Sequence, residues 1–266
     1  MPDILPSSGP RQTIVIVAGR REEAACGVWD YSVLLAEALR RTGAEVRLVN
    51  ARDWSLRGFL ALARSLRGEK ARILIQYPSS AFEKRLLPYF LPFALLPHRT
   101  AVTIHEFSYK RLPAKILTCL PMAFAGSVVF TSPVEAAAAR HSPRRRREVA
   151  VIPIGSNIPA VAAREKAIDL VYFGIIRENG RLESFLEVLE RLPRGSVRAA
   201  ILGSVAAGSG AYAKAIEARA AAVGATLRLE ADAEEVAELL SASKVALLPY
   251  DDGISSRRGT ALAAMA

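Results

Sequence analysis

The sequence predicts an α/β protein built from two doubly wound, Rossmann-like domains. Three observations carry that expectation. Short runs of Val, Ile and Leu alternate with helix-period segments along nearly the whole chain, the pattern of βαβ units. The runs are continuously apolar, as in parallel strands covered on both faces. One stretch, GSNIPAVAAREKA at 155–167, lacks strong periodicity and contains Pro159. It reads as a linker and divides the chain into domains over 1–160 and 161–266. The length of 266 residues suits two small domains or one large one.

The elements follow in order. TIVIVA (13–18) reads as the first strand. Gly27 to Arg41 reads as a helix, with Val28, Tyr31, Leu35 and Leu39 near one face. Arg40 and Arg41 suit its negative end, and Gly43 can terminate it. EVRLVN (45–50) is a strand, 55–67 a helix and ARILIQ (71–76) a strand. Prolines 88, 92 and 97 prevent a long regular helix across 81–97. That apolar segment with basic flanks suits either an interfacial role or a core or partner contact. TAVTIH (100–105), a helix around 108–124 and SVVFTS (127–132) come next. Ser132 as cap, Pro133 at the first helical position and Glu135 as the third member of a capping box start another helix. EVAVIPI (148–154) is the last strand of the first half.

Beyond the linker the alternation restarts. DLVYFG (169–174), a helix over 181–192, VRAAILG (197–203), a helix over 209–223 and TLRLEA (226–231) follow one another. Asp232 with Glu235 forms a second capping box before a helix to about 242. KVALLPY (244–250) is a strand, and the last helix is expected to begin near Ser255.

Composition narrows the function classes. Apolar residues make up 51% and charged residues 23%, which excludes a disordered or collagen-like chain. Two cysteines, Cys26 and Cys119, make no disulfide scaffold and fit a reducing, cytoplasmic setting. Three histidines without ligand spacing point to no metal centre. The first twelve residues lack the order of a signal peptide. The uncharged run 116–134 is long enough to span a bilayer. Pro121, Gly126 and SVVFTS argue instead for a helix end followed by a strand.

The net charge of +10 is lopsided. Residues 1–160 hold 23 Lys/Arg against 12 Asp/Glu, whereas 161–266 hold 13 against 14. A basic half suits an anionic small molecule, an acidic membrane surface or nucleic acid, or is a solvated face. The run Arg144 to Arg147 has no interleaved aromatics, so nucleic acid is not expected.

Ligands of doubly wound sheets bind beyond the carboxyl ends of the strands, so the residues there are the candidates, and the cleft between two such domains is the default site. At the C-terminus, Ser255 or Ser256 can cap a helix. Arg257 and Arg258 would then lie in its first turn, an unfavourable place for cations unless an anion binds there. Gly259 would let a ligand approach the backbone. Arg177 and Arg181 follow DLVYFG and can reach an anion at the sheet edge, or are solvated turn residues. Gly27 closes a long loop, AGRREEAACG, that is not GxGxxG and so is no dinucleotide fingerprint. His105 ends a strand on the ligand side, where an imidazole can act as a base or hydrogen-bond a hydroxyl. It can equally be structural. Glu106 beside it can orient the ring or contact substrate.

The motifs GVWDYSVLLAEALRRTGAEVRLV, VTIHEF, VVFTSPVEAAAA, VAVIPIGSNIP, LVYFGIIRENGRLESFLEVL and EEVAELLSASKVALLPYDDGISSRRGTALAAMA, in this order, resemble the GT-B glycosyltransferases of family 4. The resemblance implies a retaining, metal-independent sugar transfer with no cofactor. A nucleotide-sugar donor would sit in the second domain, and the first would receive a glycan, lipid-linked or small-molecule acceptor. It matches Gly27 to a glycine near the donor phosphates, His105 to an active-site histidine and Arg177 to a residue on the diphosphate. Arg181 would replace a lysine, the family position itself being Gly180. Ser255 through Thr260 fall on the donor-side helix start. The family's two glutamates align with Ser255 and Ala263, and the chain stops inside the last helix at Ala266, so an incomplete second domain is expected. A peripheral contact with an anionic membrane at its inner face accompanies the reading. An inactive nucleotide-sugar-binding or assembly protein of the same fold is the alternative.

Overall fold

A computed structural model describes residues 13–20, 26–82, 85–95, 99–142, 148–178, 181–251, 253–254 and 258–266. The chain forms two compact units, Met1–Ile154 and Gly155–Ala266.

The first unit carries six parallel strands in the order β2-β1-β3-β4-β5-β6. These are β1 (Thr13–Ala18), β2 (Glu45–Asn50), β3 (Arg72–Tyr77), β4 (Thr100–Ile104), β5 (Ser127–Phe130) and β6 (Glu148–Val151). Their apolar runs pair in parallel register, with Ile16 beside Leu48 and Leu74. Helix α1 (Gly27–Arg41) covers one face, packing Leu35, Ala36 and Leu39 with Ile16 and Val46. On the other face lie α2 (Leu56–Gly68), α3 (Leu87–Ala94), α4 (Leu112–Phe124) and α5 (Pro133–Ala138). There Phe59, Leu66, Leu91 and Met122 bury themselves against Val15, Ile75, Val102 and Phe130.

Local chemistry sets the boundaries. Ser55 caps α2 by accepting from the Gly58 N–H at 3.1 Å, and Ser132 caps α5 through the Glu135 N–H at 3.2 Å. Helix α4 begins four residues later than the sequence pattern suggests. Pro113 sits in its first turn, where a missing N–H costs nothing, and Arg111 before it is extended. Among its described residues the 81–97 segment holds the end of a 3-10 turn, Ser80–Phe82, and the eight-residue α3 with Pro88 and Pro92. The last apolar run, read as 148–154, is a strand only as far as Val151, with the Ile152 N–H making a last bond to the Phe130 carbonyl at 2.9 Å. It lies at the sheet edge with Val149 and Val151 exposed.

In the second unit four parallel strands run β10-β7-β8-β9. They are β7 (Ile168–Phe173), β8 (Ala199–Gly203), β9 (Thr226–Leu229) and β10 (Ser243–Ala246). Helices α6 (Leu182–Glu190) and α7 (Gly210–Val223) pack Phe185, Leu186 and Ile216 on one face. On the other, α8 (Ala233–Ser241) lays Leu239 and Leu240 against Val171 and Leu202. Asp232 caps α8, accepting from the Glu235 N–H at 2.8 Å. The short α9 (Gly259–Met265) is the last element. Strand β10 stops at Ala246, short of the expected Tyr250. It is an edge strand, and after the Leu247 N–H bonds Val171 the chain meets Pro249, which has no N–H to give.

Gly203 closes β8 where two backbones nearly touch. A Cβ there would lie 1.8 Å from the Gly174 carbonyl oxygen, and backbone cannot swing aside as a side chain can. Gly203→Ala is expected to destabilise the protein by about 1–3 kcal/mol, the usual cost of forcing extra volume into a packed site. The midpoint of urea unfolding measures it.

Candidate functional site

The carboxyl ends of the strands carry most of the candidate residues.

In the first unit His105 follows β4. Its backbone N–H bonds the Tyr77 carbonyl at 2.8 Å. The imidazole Nε2 lies 2.8 Å from Gln76 Oε1, and the Tyr31 ring meets it edge-on with centroids 4.9 Å apart. Facing that oxygen, Nε2 carries the proton and Nδ1 keeps the lone pair. Burial lowers the ring's pKa to about 4, so His105 is neutral at physiological pH. It can hydrogen-bond a hydroxyl but does not act there as a cationic acid.

Stability follows from the same shift. The buried ring refuses a proton that the unfolded chain accepts below about pH 6.5, so its contribution is present above that value and lost as pH falls toward 4. The loss is expected to reach about 3 kcal/mol. A His105→Gln variant should show a flatter decline between pH 7 and 4.5 in urea titrations.

Glu106 does not orient the ring; Gln76 does, because Glu106 points its charge into solvent. Its nearest electrostatic consequence is on Lys110, whose pKa burial lowers while the Glu106 and Glu135 charges oppose the fall. The residue that sequence reasoning used only as a helix-start signal proves to hold this loop. Glu135 is fully buried. Its Oε2 accepts from the Phe107 N–H at 2.5 Å and the Ser108 N–H at 2.7 Å, and Oε1 from the Ser108 hydroxyl at 2.7 Å. The capping box is therefore half-formed, with the carboxylate turned to the loop after β4.

Gly27 is the first residue of α1 and is exposed. Among the described residues a Cβ there would meet nothing within 4 Å, whereas at Gly19, which follows β1, it would lie 2.3 Å from the Ala51 carbonyl oxygen. Among the described residues of this loop, the glycine that packing demands is thus Gly19. Arg20 lies over the Trp29 ring, 5.9 Å from its centroid. Burial raises the pKa of Asp30 and the Arg20 charge counters it.

In the second unit the two arginine-bearing stretches meet. Arg181 precedes α6 with φ of 64°. Its Nε and Nη2 donate to Asp251 Oδ2 at 3.0 and 2.6 Å, joining the loop after β7 to the one after β10. Tyr250 beside Asp251 carries the Arg258 guanidinium over its ring at 4.6 Å and shares a hydrogen bond with the Thr260 hydroxyl. Burial pushes the Tyr172 hydroxyl up to about 12, the Tyr250 and Glu183 charges add to it, and the exposed Arg177 opposes them. Arg177, Arg181 and Arg258 thus share one neighbourhood around Tyr172, Tyr250 and Asp251.

The expected helix start needs correcting. Helix α9 begins at Gly259, not Ser255, and Arg258 is its capping position rather than part of its first turn. The Arg258 charge lies on the Tyr250 ring face, a favourable placement that holds it beside the helix start without requiring a bound anion. Gly259 and Thr260 are the first two residues of the helix. Ser255, Ser256, Arg257, Gly180 and the run 144–147 lie outside the described residues. Among the described residues no group of three or more His, Cys, Asp or Glu is placed to hold a metal ion, and no helix is long and apolar enough to cross a membrane.

No family model matches the chain, and no curated protein matches it by sequence. Solved structures do match. Anabaena HepE in complex with UDP and glucose superposes with a TM-score of 0.61 at 12% identity, over 89% of this chain and 73% of that one. Sucrose-phosphate synthase from Thermosynechococcus elongatus gives 0.63 at 16%, over 90% and 75%. The pneumococcal O-GlcNAc transferase GtfA in complex with UDP and GlcNAc gives 0.60 at 9%, over 89% and 79%. These likenesses establish the fold: two Rossmann-like units of the GT-B type.

Proposed function

We propose that this chain transfers a sugar from a nucleotide-sugar donor to an acceptor hydroxyl, with retention at the anomeric carbon and without a metal ion. The observation that carries the reading is the gathering of Arg177, Arg181 and Arg258 at the carboxyl edge of the second unit's sheet. The GT-B fold supports it, as do neighbours solved with UDP.

The chemistry asks for this. The bond between the anomeric carbon and the diphosphate breaks, the diphosphate leaves with the bonding pair, an acceptor oxygen takes the carbon on the same face, and the acceptor proton passes to the departing diphosphate oxygen. Negative charge builds on the departing diphosphate, and preorganised guanidinium groups stabilise it. Neutral His105 serves the transferred sugar or the acceptor hydroxyl as a hydrogen-bonding group, with Gln76 fixing its tautomer. The acceptor is a glycan, a lipid-linked glycan or a small molecule, and the protein works in the cytoplasm.

Incubation with UDP-glucose, ADP-glucose and GDP-mannose tests the proposal. Release of nucleoside diphosphate that depends on an added acceptor is the expected result. Binding of a nucleotide-sugar with no turnover across an acceptor panel would sink it.

A further inference from the structure

The helical layer of the first unit formed by α2, α3 and α4 is unlike an ordinary solvated surface. Large apolar side chains stand out from it on all three helices. Leu56 and Leu60 on α2, Phe90 and Phe93 on α3, and Leu112 and Ile116 on α4 are between 40% and 70% exposed. Their spacings of three or four residues set each pair on one helical face. The helices are neighbours in one layer: Arg67 of α2 donates to the Ala94 carbonyl at the end of α3, and Phe93 meets Phe124 of α4 with centroids 4.9 Å apart.

Charge is the second observation. The three helices contain four Lys or Arg, namely Arg57, Arg64, Arg67 and Lys115, and not one Asp or Glu. Arg85 and Arg111, just before α3 and α4, are exposed and extend the same sign, against two flanking acids at the ends of α2, Asp53 near Arg57 and Arg85, and Glu69 paired with Arg47. A surface kept soluble by water alone mixes both signs and hides its Phe and Leu. A basic amphipathic face of this composition is the kind that settles into the headgroup boundary of a bilayer, apolar side chains in the acyl region and cations among the phosphates. Long arginine stems allow both at once. A second copy of the chain fits poorly, because two such faces would bring like charges together.

We infer that the α2–α3–α4 face docks this protein on a lipid bilayer bearing anionic headgroups. The inference stands apart from the sugar-transfer reading, since binding is measured without donor or acceptor.

Cosedimentation of the full chain with vesicles tests it. The protein should pellet with phosphatidylcholine vesicles containing phosphatidylglycerol and remain in solution with phosphatidylcholine alone. A triple change of exposed residues, Leu60→Ser, Phe93→Ser and Ile116→Ser, should cut partitioning by about tenfold or more. Arg57→Glu with Arg64→Glu should cut it by at least about fivefold per charge at low salt. Because these side chains are exposed, circular dichroism and melting midpoints should match the parent and keep the comparison clean.

Absence of binding to anionic vesicles overturns the inference. So does binding that salt abolishes but the triple apolar variant leaves intact, which is plain adsorption by the basic half. A parent that is dimeric in sedimentation equilibrium, with the triple variant monomeric, assigns the face to a second copy instead.

Discussion

Replacing Arg177 and Arg181 together with alanine is expected to weaken UDP binding at least about a hundredfold, since each charge-assisted hydrogen bond to a phosphate is worth about 1.5–3 kcal/mol. Isothermal titration calorimetry reads the change. Fold stability should barely move, because both side chains are exposed and the Arg181–Asp251 pair is solvated, a type that contributes about 0–1 kcal/mol. The same pair supplies a control of opposite sign. A diphosphate at this position would have to displace Asp251 from the Arg181 fork and would be repelled by its charge. Asp251→Asn should therefore raise UDP affinity a few-fold. Unchanged affinity in the double arginine variant removes these residues from the donor site, whatever the activity.

The largest expected effect on folding belongs to Glu135. Glu135→Ala deletes the acceptor for two backbone N–H groups and one hydroxyl inside the first unit. Nothing in the described surroundings replaces it, and buried donors left unpaired cost about 1–3 kcal/mol each. A loss of about 3–5 kcal/mol is expected in chemical denaturation, with the loop from His105 to Ser108 released first. Glu135→Gln keeps one acceptor oxygen and should lose about half as much. Hydrogen exchange at the Phe107 and Ser108 amides distinguishes loop release from global unfolding: in Glu135→Gln these amides should lose protection before those of β4. If Glu135→Ala melts with the parent, the carboxylate is not what holds the loop.

Much of the architecture was legible in the sequence because parallel strands write themselves as unbroken apolar runs. TIVIVA, ARILIQ and DLVYFG all lie in sheets at about the expected places. Capping signals at Ser132 and Asp232 were equally readable, since they are local. The extent of edge strands was not. EVAVIPI and KVALLPY look like core strands, yet each has a single neighbour and ends early. At the site, the rule that ligands meet strand ends singled out His105, Arg177 and Arg181 from sequence. Their partners escaped it. Gln76 and His105 are separated by 29 residues, and Arg181 and Asp251 by 70. No spacing rule joins residues that only a closed sheet brings together. Glu135 shows the converse: a local signal named the residue correctly and hid what its carboxylate holds.

Four glycines, two in each unit, divide in a way that a mutational library can exploit. Gly19 and Gly203 press against carbonyl oxygens, whereas among the described residues nothing lies within 4 Å of a Cβ at Gly27 or Gly259. A screen that asks only for soluble, folded protein should reject nearly every codon at the first two and accept most at the second two. Repeating the screen under selection for catalysis turns the comparison into a map. Any intolerance that emerges at Gly27 or Gly259 only in the second round reports the footprint of a bound molecule, with the polypeptide's own steric demands already subtracted.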